Sequence, residues 1–299
     1  INNNTNAIIN LTEHHGLESI KFHNTLNGGS GHTDGTYYNV RLWNNNTTPG
    51  QRYQTVINQE RKGDFLGKTV QVIPHITNEI KSRIKSLENE KKYDVIITEL
   101  GGTVGDIESY PFIEAVRQFR WEIGEQNSLV IHLTLLPYLS AAAEIKTKPT
   151  QHSVKKLMES GLNADIIVCR TEHRLTSDLR KKIALFCNVD VKSVIESIDA
   201  KTIYDVPLLM LEEKLDKVVL KKLKIKSKTK ADLSSWKKFV YNLKNPKTEV
   251  SIGLIGKYVE LQDSYKSILE SFIHAGSVNS VKVNAVSYTH LTLPTRSYV

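Results

Sequence analysis

The run Asp94-Val95-Ile96-Ile97, leading into Thr98-Glu99-Leu100-Gly101-Gly102-Thr103-Val104-Gly105-Asp106-Ile107-Glu108-Ser109, constrains the fold of this chain more than any other feature. The apolar run has no polar alternation, and Ile and Val suit a pleated core, so it reads as a buried parallel strand. In open α/β sheets ligands bind at the carboxyl ends of such strands. Here that end carries the carboxylates Glu99, Asp106 and Glu108, interleaved with glycines that let backbone approach a ligand closely. Carboxylates so near one another repel unless a cation or a donor-rich ligand holds them. A metal–nucleotide site is the economical reading.

The rest of the chain repeats the alternation. Helices are expected from Tyr53 to Lys62, from Asn78 to Leu87, from Pro111 to Glu122, from Gln151 to Ser160 and from Ser177 to Phe186. Strands are expected at Val95–Thr98, Leu129–Leu135, Asp165–Cys169 and Ser193–Ile198, with a loop at Glu144–Thr150 and short helices to Leu223. This βαβ order predicts an α/β fold, a mainly parallel sheet with helices on both faces. A lysine-rich linker and a helix around Trp236–Tyr241 precede a second start. There, strand Val250–Ile255, helix Ser264–Ile273 and strand Val281–Ala285 form the first unit of another α/β domain. Residues 1–46, rich in Asn, Gly and Thr, read as loop or non-native sequence, and residues 286–299 read as a non-native tail on a gene fragment.

Composition narrows the class. At 299 residues the chain has ample core for one large domain or two smaller ones. Its two cysteines, Cys169 and Cys187, sit inside apolar runs and read as buried free thiols in a reducing, cytoplasmic setting. The longest apolar stretch, Leu129 to Ile145, is interrupted by His132, Pro137 and Tyr138 and is too short for a bilayer span. The formal net charge of +8 invites a nucleic-acid reading, but much of it comes from the lysine run of residues 220–230, without aromatic interleaving. Neither a nucleic acid nor a membrane is expected as a partner. Excess positive charge also suits triphosphate ligands.

Several motifs carry chemistry. Gly63-Asp64-Phe65-Leu66-Gly67-Lys68-Thr69 imitates a phosphate-binding P-loop, but it has three residues between the glycines where four are needed, and a charged helical segment precedes it. It is set aside. Glu99 stands where the acidic magnesium ligand of nucleotide enzymes sits; the alternative is a strand-end carboxylate paired with a lysine. Asp106 and Glu108 are poised to accept hydrogen bonds from a ribose or a base, and Asp106 or Ser109 could equally cap the helix that follows. Lys146-Thr147-Lys148-Pro149-Thr150-Gln151 brings two ammonium groups, two hydroxyls and an amide to a helix N-terminus, whose free N–H groups favour anions. Lys182 and Asp199, taken alone, read as surface charges. His75, His132 and His152 read as structural, having no ligand partner at metal spacing.

Taken in order, Asp64 to Thr77, Glu99 to Ser109 with Pro111-Phe112-Ile113-Glu114-Ala115, Lys146 to Ser153, and Lys182 to Val189 resemble the CTP synthase family, and the resemblance runs from about Thr47 to Ala285. It implies an amidoligase domain with a P-loop-NTPase-like fold over residues 47–224, a linker over 225–248 and the start of a class I glutaminase domain over 249–285. It implies an activity as well: ATP phosphorylates uracil O4 of UTP, and ammonia from glutamine displaces that phosphate to give CTP. Carried over, Glu99 resembles a magnesium ligand. Asp106, Ile107, Glu108, Lys146, Thr147, Lys148, Pro149, Thr150, Gln151 and Lys182 resemble UTP and CTP contacts. Ile198, Asp199 and Ala200 fall where the family contacts ATP adenine. The resemblance further implies a homotetramer whose nucleotide sites span subunits.

Residues 1–46 do not match the family's glycine-rich phosphate loop, and Pro49 interrupts its usual Thr-Thr-Gly. Lys257-Tyr258-Val259-Glu260-Leu261 and Tyr265-Lys266-Ser267 match only the opening of the glutaminase domain. A fragment inactive on its own is expected. The alternative is a nucleotide-binding regulatory or filament-forming subunit without catalysis.

Overall fold

The computed structural model describes residues 6–12, 40–44, 49–86, 95–227, 231–259 and 261–289, which divide into two compact units at Lys230/Ala231. The first unit is built on a six-stranded, all-parallel sheet. Its strands are β1 (Asn6–Thr12), β2 (Val40–Asn44), β3 (Val95–Leu100), β4 (Ser128–Leu136), β7 (Ile166–Thr171) and β8 (Val194–Ile198). A small hairpin, β5 (Tyr138–Leu139) with β6 (Glu144–Ile145), interrupts the connection after β4. Across the sheet the order is β2-β3-β1-β4-β7-β8.

β1 and β2 overturn the expectation of loop for their part of residues 1–46. Their sequences, NAIINLT and VRLWN, hold short apolar interiors. Parallel pairing on both sides of β1, in register Asn10↔Glu99 with β3 and Asn10↔Ile131 with β4, supplies the long-range partners that a local reading of an Asn-rich segment cannot see. The remainder of residues 1–46 lies outside the described residues.

Alternation along the strands separates two layers of core. Leu100, Val130, Leu136, Ile167, Cys169 and Val194 point to one face. There they meet α2 (Thr77–Ser86), α3 (Tyr110–Ile123), α4 (Lys148–Glu159) and α5 (Ser177–Cys187) through Ile80, Ile84, Phe112, Val116, Phe119, Val154, Leu157, Ile183 and Ala184. Val95, Leu129, Ile166, Val168 and Ile195 point to the other face, toward Met210 of α6 (Val206–Glu212) and Leu215, Val218 and Val219 of α7 (Leu215–Lys222). Helices therefore cover both faces, as the βαβ order predicts.

The helices follow from local chemistry. α3 accepts Pro111 in its first turn, where a missing N–H costs nothing, and stops at Gly124 with φ of 84°. α5 starts where the Thr176 side chain accepts from Leu179 N–H at 3.3 Å and ends at left-handed Asn188. α4 begins at Lys148, so the expected loop is shorter than read: β6 takes Glu144 and Ile145, and Lys148 to Gln151 form the first helical turn. The P-loop look-alike is a turn that follows α1 (Pro49–Lys62), with no strand before it.

In the second unit, α8 (Ser234–Lys244) is followed by β9 (Thr248–Ile255), α9 (Gln262–Asn279) and β10 (Val281–Tyr288). β9 and β10 pair in parallel from Val281↔Thr248 to Tyr288↔Ile255, so β10 runs three residues past Ala285. The Ser277 hydroxyl donates to the Phe239 carbonyl at 2.8 Å and ties α9 to α8. Both strands keep Val250, Ile255, Val286 and Tyr288 exposed. Among the described residues no helix is long and apolar enough to cross a membrane.

Candidate active site

The segments singled out by sequence converge on the carboxyl edge of the first unit's sheet. Central β1 has β3 on one side and β4 on the other, so the glycine-rich turn after β3 and the lysine segment after β4 flank it. Chain order reverses across this point, which is where open α/β sheets form their crevice. The glycine-rich turn approaches α4 beyond the lysine segment: a Cβ on Gly105 would lie 3.8 Å from Cγ and Cδ of Lys156.

Glu99 is half-buried one residue from the end of β3. It shares strand parity with Val95 and Ile97, and so belongs to the α6–α7 face. Ile198, Asp199 and Ala200 stand at the end of β8, where the Asp199 carboxylate accepts from Arg170 Nε at 2.8 Å. β3 and β8 are separated by four strand spacings, about 19 Å at about 4.8 Å each. An extended nucleotide could run along such an edge.

Asp106, Ile107 and Glu108 are exposed on the turn. The capping alternative does not hold, because neither Asp106 nor Ser109 caps the following helix with its side chain. The Ser109 hydroxyl instead lies 2.9 Å from the Thr103 carbonyl and 2.8 Å from that of Asp106, closing the turn on itself and leaving the Asp106 and Glu108 carboxylates toward solvent.

The lysine segment is less uniform than its sequence suggests. Lys148 and Pro149 are exposed. The Thr147 and Thr150 side chains point inward instead: Gln151 Nε2 donates to Thr147 Oγ1 at 3.0 Å, and Thr150 Oγ1 lies 3.0 Å from Thr134 Oγ1 and 3.1 Å from the Leu135 carbonyl. Lys146 Nζ lies 2.6 Å from Glu144 Oε2. Lys182, exposed on α5, also acts on Glu144: the Lys146 hydrogen bond first and then the charges of both lysines hold that carboxyl below its usual range. Sequence reasoning joins Lys146 to Lys182 only through the family resemblance and misses Glu144; the alternating Glu-x-Lys pattern of a short strand was the available signal. A ring pair beside this hairpin, Tyr138 with His173 at 3.9 Å between centroids, went equally unread.

Among the histidines, buried His132 makes a 2.8 Å contact from Nε2 to Ser153 Oγ, and His75 accepts from Gln71 N–H at 3.0 Å, in keeping with structural roles. Both cysteines are buried free thiols, Cys169 pushed up to about 12 and Cys187 to about 11 by burial. Among the described residues no three His, Cys, Asp or Glu groups form a metal cage, so the three carboxylates do not gather round one cation. Magnesium, however, is commonly held by one or two carboxylates with phosphates and waters, and Glu99 at its strand end fits that limited demand.

A six-stranded parallel sheet with helices on both faces, and lysines and carboxylates on the segments at its carboxyl edge, defines an α/β enzyme domain. The family model for the N-terminus of CTP synthase matches residues 33–225, and the chain belongs to that family. It is 68% identical over 246 residues to the CTP synthase of Christiangramia forsetii, covering 82% of this chain and 45% of the relative. The Bacteroides fragilis CTP synthase is 56% identical over 250 residues, covering 83% and 47%, and that of Methanocaldococcus jannaschii is 56% identical over 247 residues, covering 83% and 45%. The chain thus spans about half the length of the curated relatives it matches.

Proposed function

We propose that this chain is the amidoligase portion of an enzyme making CTP from UTP, ATP and ammonia released from glutamine. The observation that supports the reading is that the Glu99–Ser109 turn and the Lys146–Gln151 segment follow the two strands flanking β1, at the same edge of the sheet, with the charges of Lys146 and Lys182 both bearing on Glu144. Lys146, Lys148 and Lys182 hold the pyrimidine triphosphate, helped by the first turn of α4 through Pro149. Thr147, Thr150 and Gln151 fix that turn from below. Asp106 and Glu108 accept hydrogen bonds from ribose or base, with Ile107 packing between them. Ile198, Asp199 and Ala200 receive the adenine of ATP.

Glu99 would hold magnesium, which, when bound, spreads the negative charge of the transferred phosphoryl group. The lysines, by holding the triphosphate of UTP, keep its uracil O4 in place for the phosphoryl group it receives. Uracil O4, once phosphorylated, carries a leaving group that ammonia displaces. The second unit is the opening βαβ of the glutaminase domain, and the working enzyme is a cytoplasmic homotetramer.

Calorimetric titration of the chain and its Lys148→Ala variant with UTP and CTP tests the reading. Saturable binding of both nucleotides, weakened at least about tenfold in the variant, is expected, since one charge-assisted phosphate contact contributes about 1.5–3 kcal/mol. Equal heats in wild type and variant, or no discrimination of UTP from unrelated anions, would reject it.

A further inference from the structure

The hairpin of β5 and β6 does something the nucleotide reading does not require. It pairs an acidic side chain with Lys146, one of the lysines assigned to phosphate. The Lys146 N–H donates to the Pro137 carbonyl at 2.9 Å, which fixes the strand's exit, and Glu144 Oε2 then sits 2.6 Å from Lys146 Nζ. Lys182, on α5, lies close enough for its charge to bear on the same carboxylate. More than half of the Glu144 side chain stays open to solvent. Such a cluster attracts anions yet already contains one.

We propose that Glu144 is a built-in counter-anion that occupies the phosphate position at Lys146 and must be displaced when a polyphosphate binds. This rests on the reading of Lys146 and Lys182 as phosphate-binding lysines. An ordinary surface ion pair contributes little and changes little when removed. A competitor behaves differently: removing it strengthens ligand binding. The displacement cost falls on any anion that takes the position, so removing the carboxylate should strengthen each of them.

The test is calorimetric titration of wild type, Glu144→Gln and Glu144→Ala with sodium tripolyphosphate, inorganic phosphate and UTP. Both variants are expected to bind tripolyphosphate about fivefold more tightly, as loss of one competing unit charge near a surface allows. Inorganic phosphate should gain by a similar factor, since it displaces the same carboxylate. Unchanged or weaker tripolyphosphate binding in both variants, with thermal melts matching wild type, overturns the proposal. Absence of heat with tripolyphosphate in all three proteins overturns it too. The nucleotide reading fails separately: if UTP binds no better than tripolyphosphate in wild type, the pyrimidine assignment falls while the Glu144 effect can still stand.

Discussion

Thr150 and Thr134 face each other across the junction of α4 and β4, their hydroxyl oxygens 3.0 Å apart and both fully buried. Thr134 lies 3.9 Å from the Cys169 sulfur, so a polar thread runs through an otherwise apolar layer. Thr150 belongs to a segment read as a ligand cradle, but its hydroxyl anchors the cradle. Thr150→Val, which keeps the shape and drops the hydroxyl, should cost about 1–2 kcal/mol in urea unfolding, and Thr150→Ser should recover most of it.

Glu196, 2% exposed on β8, accepts from Arg174 at 2.7 Å and from the Leu175 N–H at 2.6 Å, with Arg180 at 3.4 Å. Arg180 also donates to both oxygens of Glu213. Glu196→Ala leaves the Leu175 N–H without its acceptor, while exposed Arg174 returns to water and Arg180 keeps Glu213, and should destabilise the first unit by about 1–3 kcal/mol, measured by denaturant titration.

The same cluster gives a pH prediction. Burial pushes the Glu213 carboxyl up, but the Arg180 hydrogen bond and the Glu196 N–H outweigh it and hold it below its usual 4.5. Its folded value is depressed, so its contribution is complete above 4.5 and disappears as pH falls through the lower folded value. Removing the partner in Arg180→Ala should flatten the acid limb of a stability–pH curve. An unchanged limb would contradict the pairing.

Cys169 and Cys187 should resist a thiol reagent at pH 8 in the native protein and react after unfolding. Burial holds their thiols protonated to about 12 and about 11, well above the ordinary 9.0. The sign for stability runs opposite to that of Glu213. Their contribution is present below 9.0 and is lost as pH climbs toward those folded values.

Gly105 has φ of 106°, a conformation closed to side chains, although a Cβ there would meet only Lys156 at 3.8 Å. Gly105→Ala should therefore cost about 1–3 kcal/mol through backbone strain alone. Gly101, with open space around it and no such φ, should tolerate alanine. A thermal melt of both variants separates strain from crowding.

Legibility followed the range of the interactions. β3, β4, β7 and β8 announce themselves because a strand buried on both faces is rich in Val, Ile and Leu, and such stretches are local. β1 escaped because Asn10 and its neighbours become strand only when β3 and β4 bracket them. The helix-cap reading of Asp106 and Ser109 failed for a similar reason. A hydroxyl can close the turn behind it as readily as cap the helix ahead, and backbone geometry chooses.

By itself, the sequence determined the class of fold, the strand ends at which chemistry would gather, and the family, because periodicity and ordered motifs are written along the chain. The tertiary structure alone decided direction and partnership: that Thr150 turns inward, that Asp106 and Glu108 turn outward, and that the charge of Lys182 bears on the Glu144 that pairs with Lys146. Those outcomes depend on how helices rotate and strands pair in space, where residues 36 or more positions apart come within reach of one another's charge.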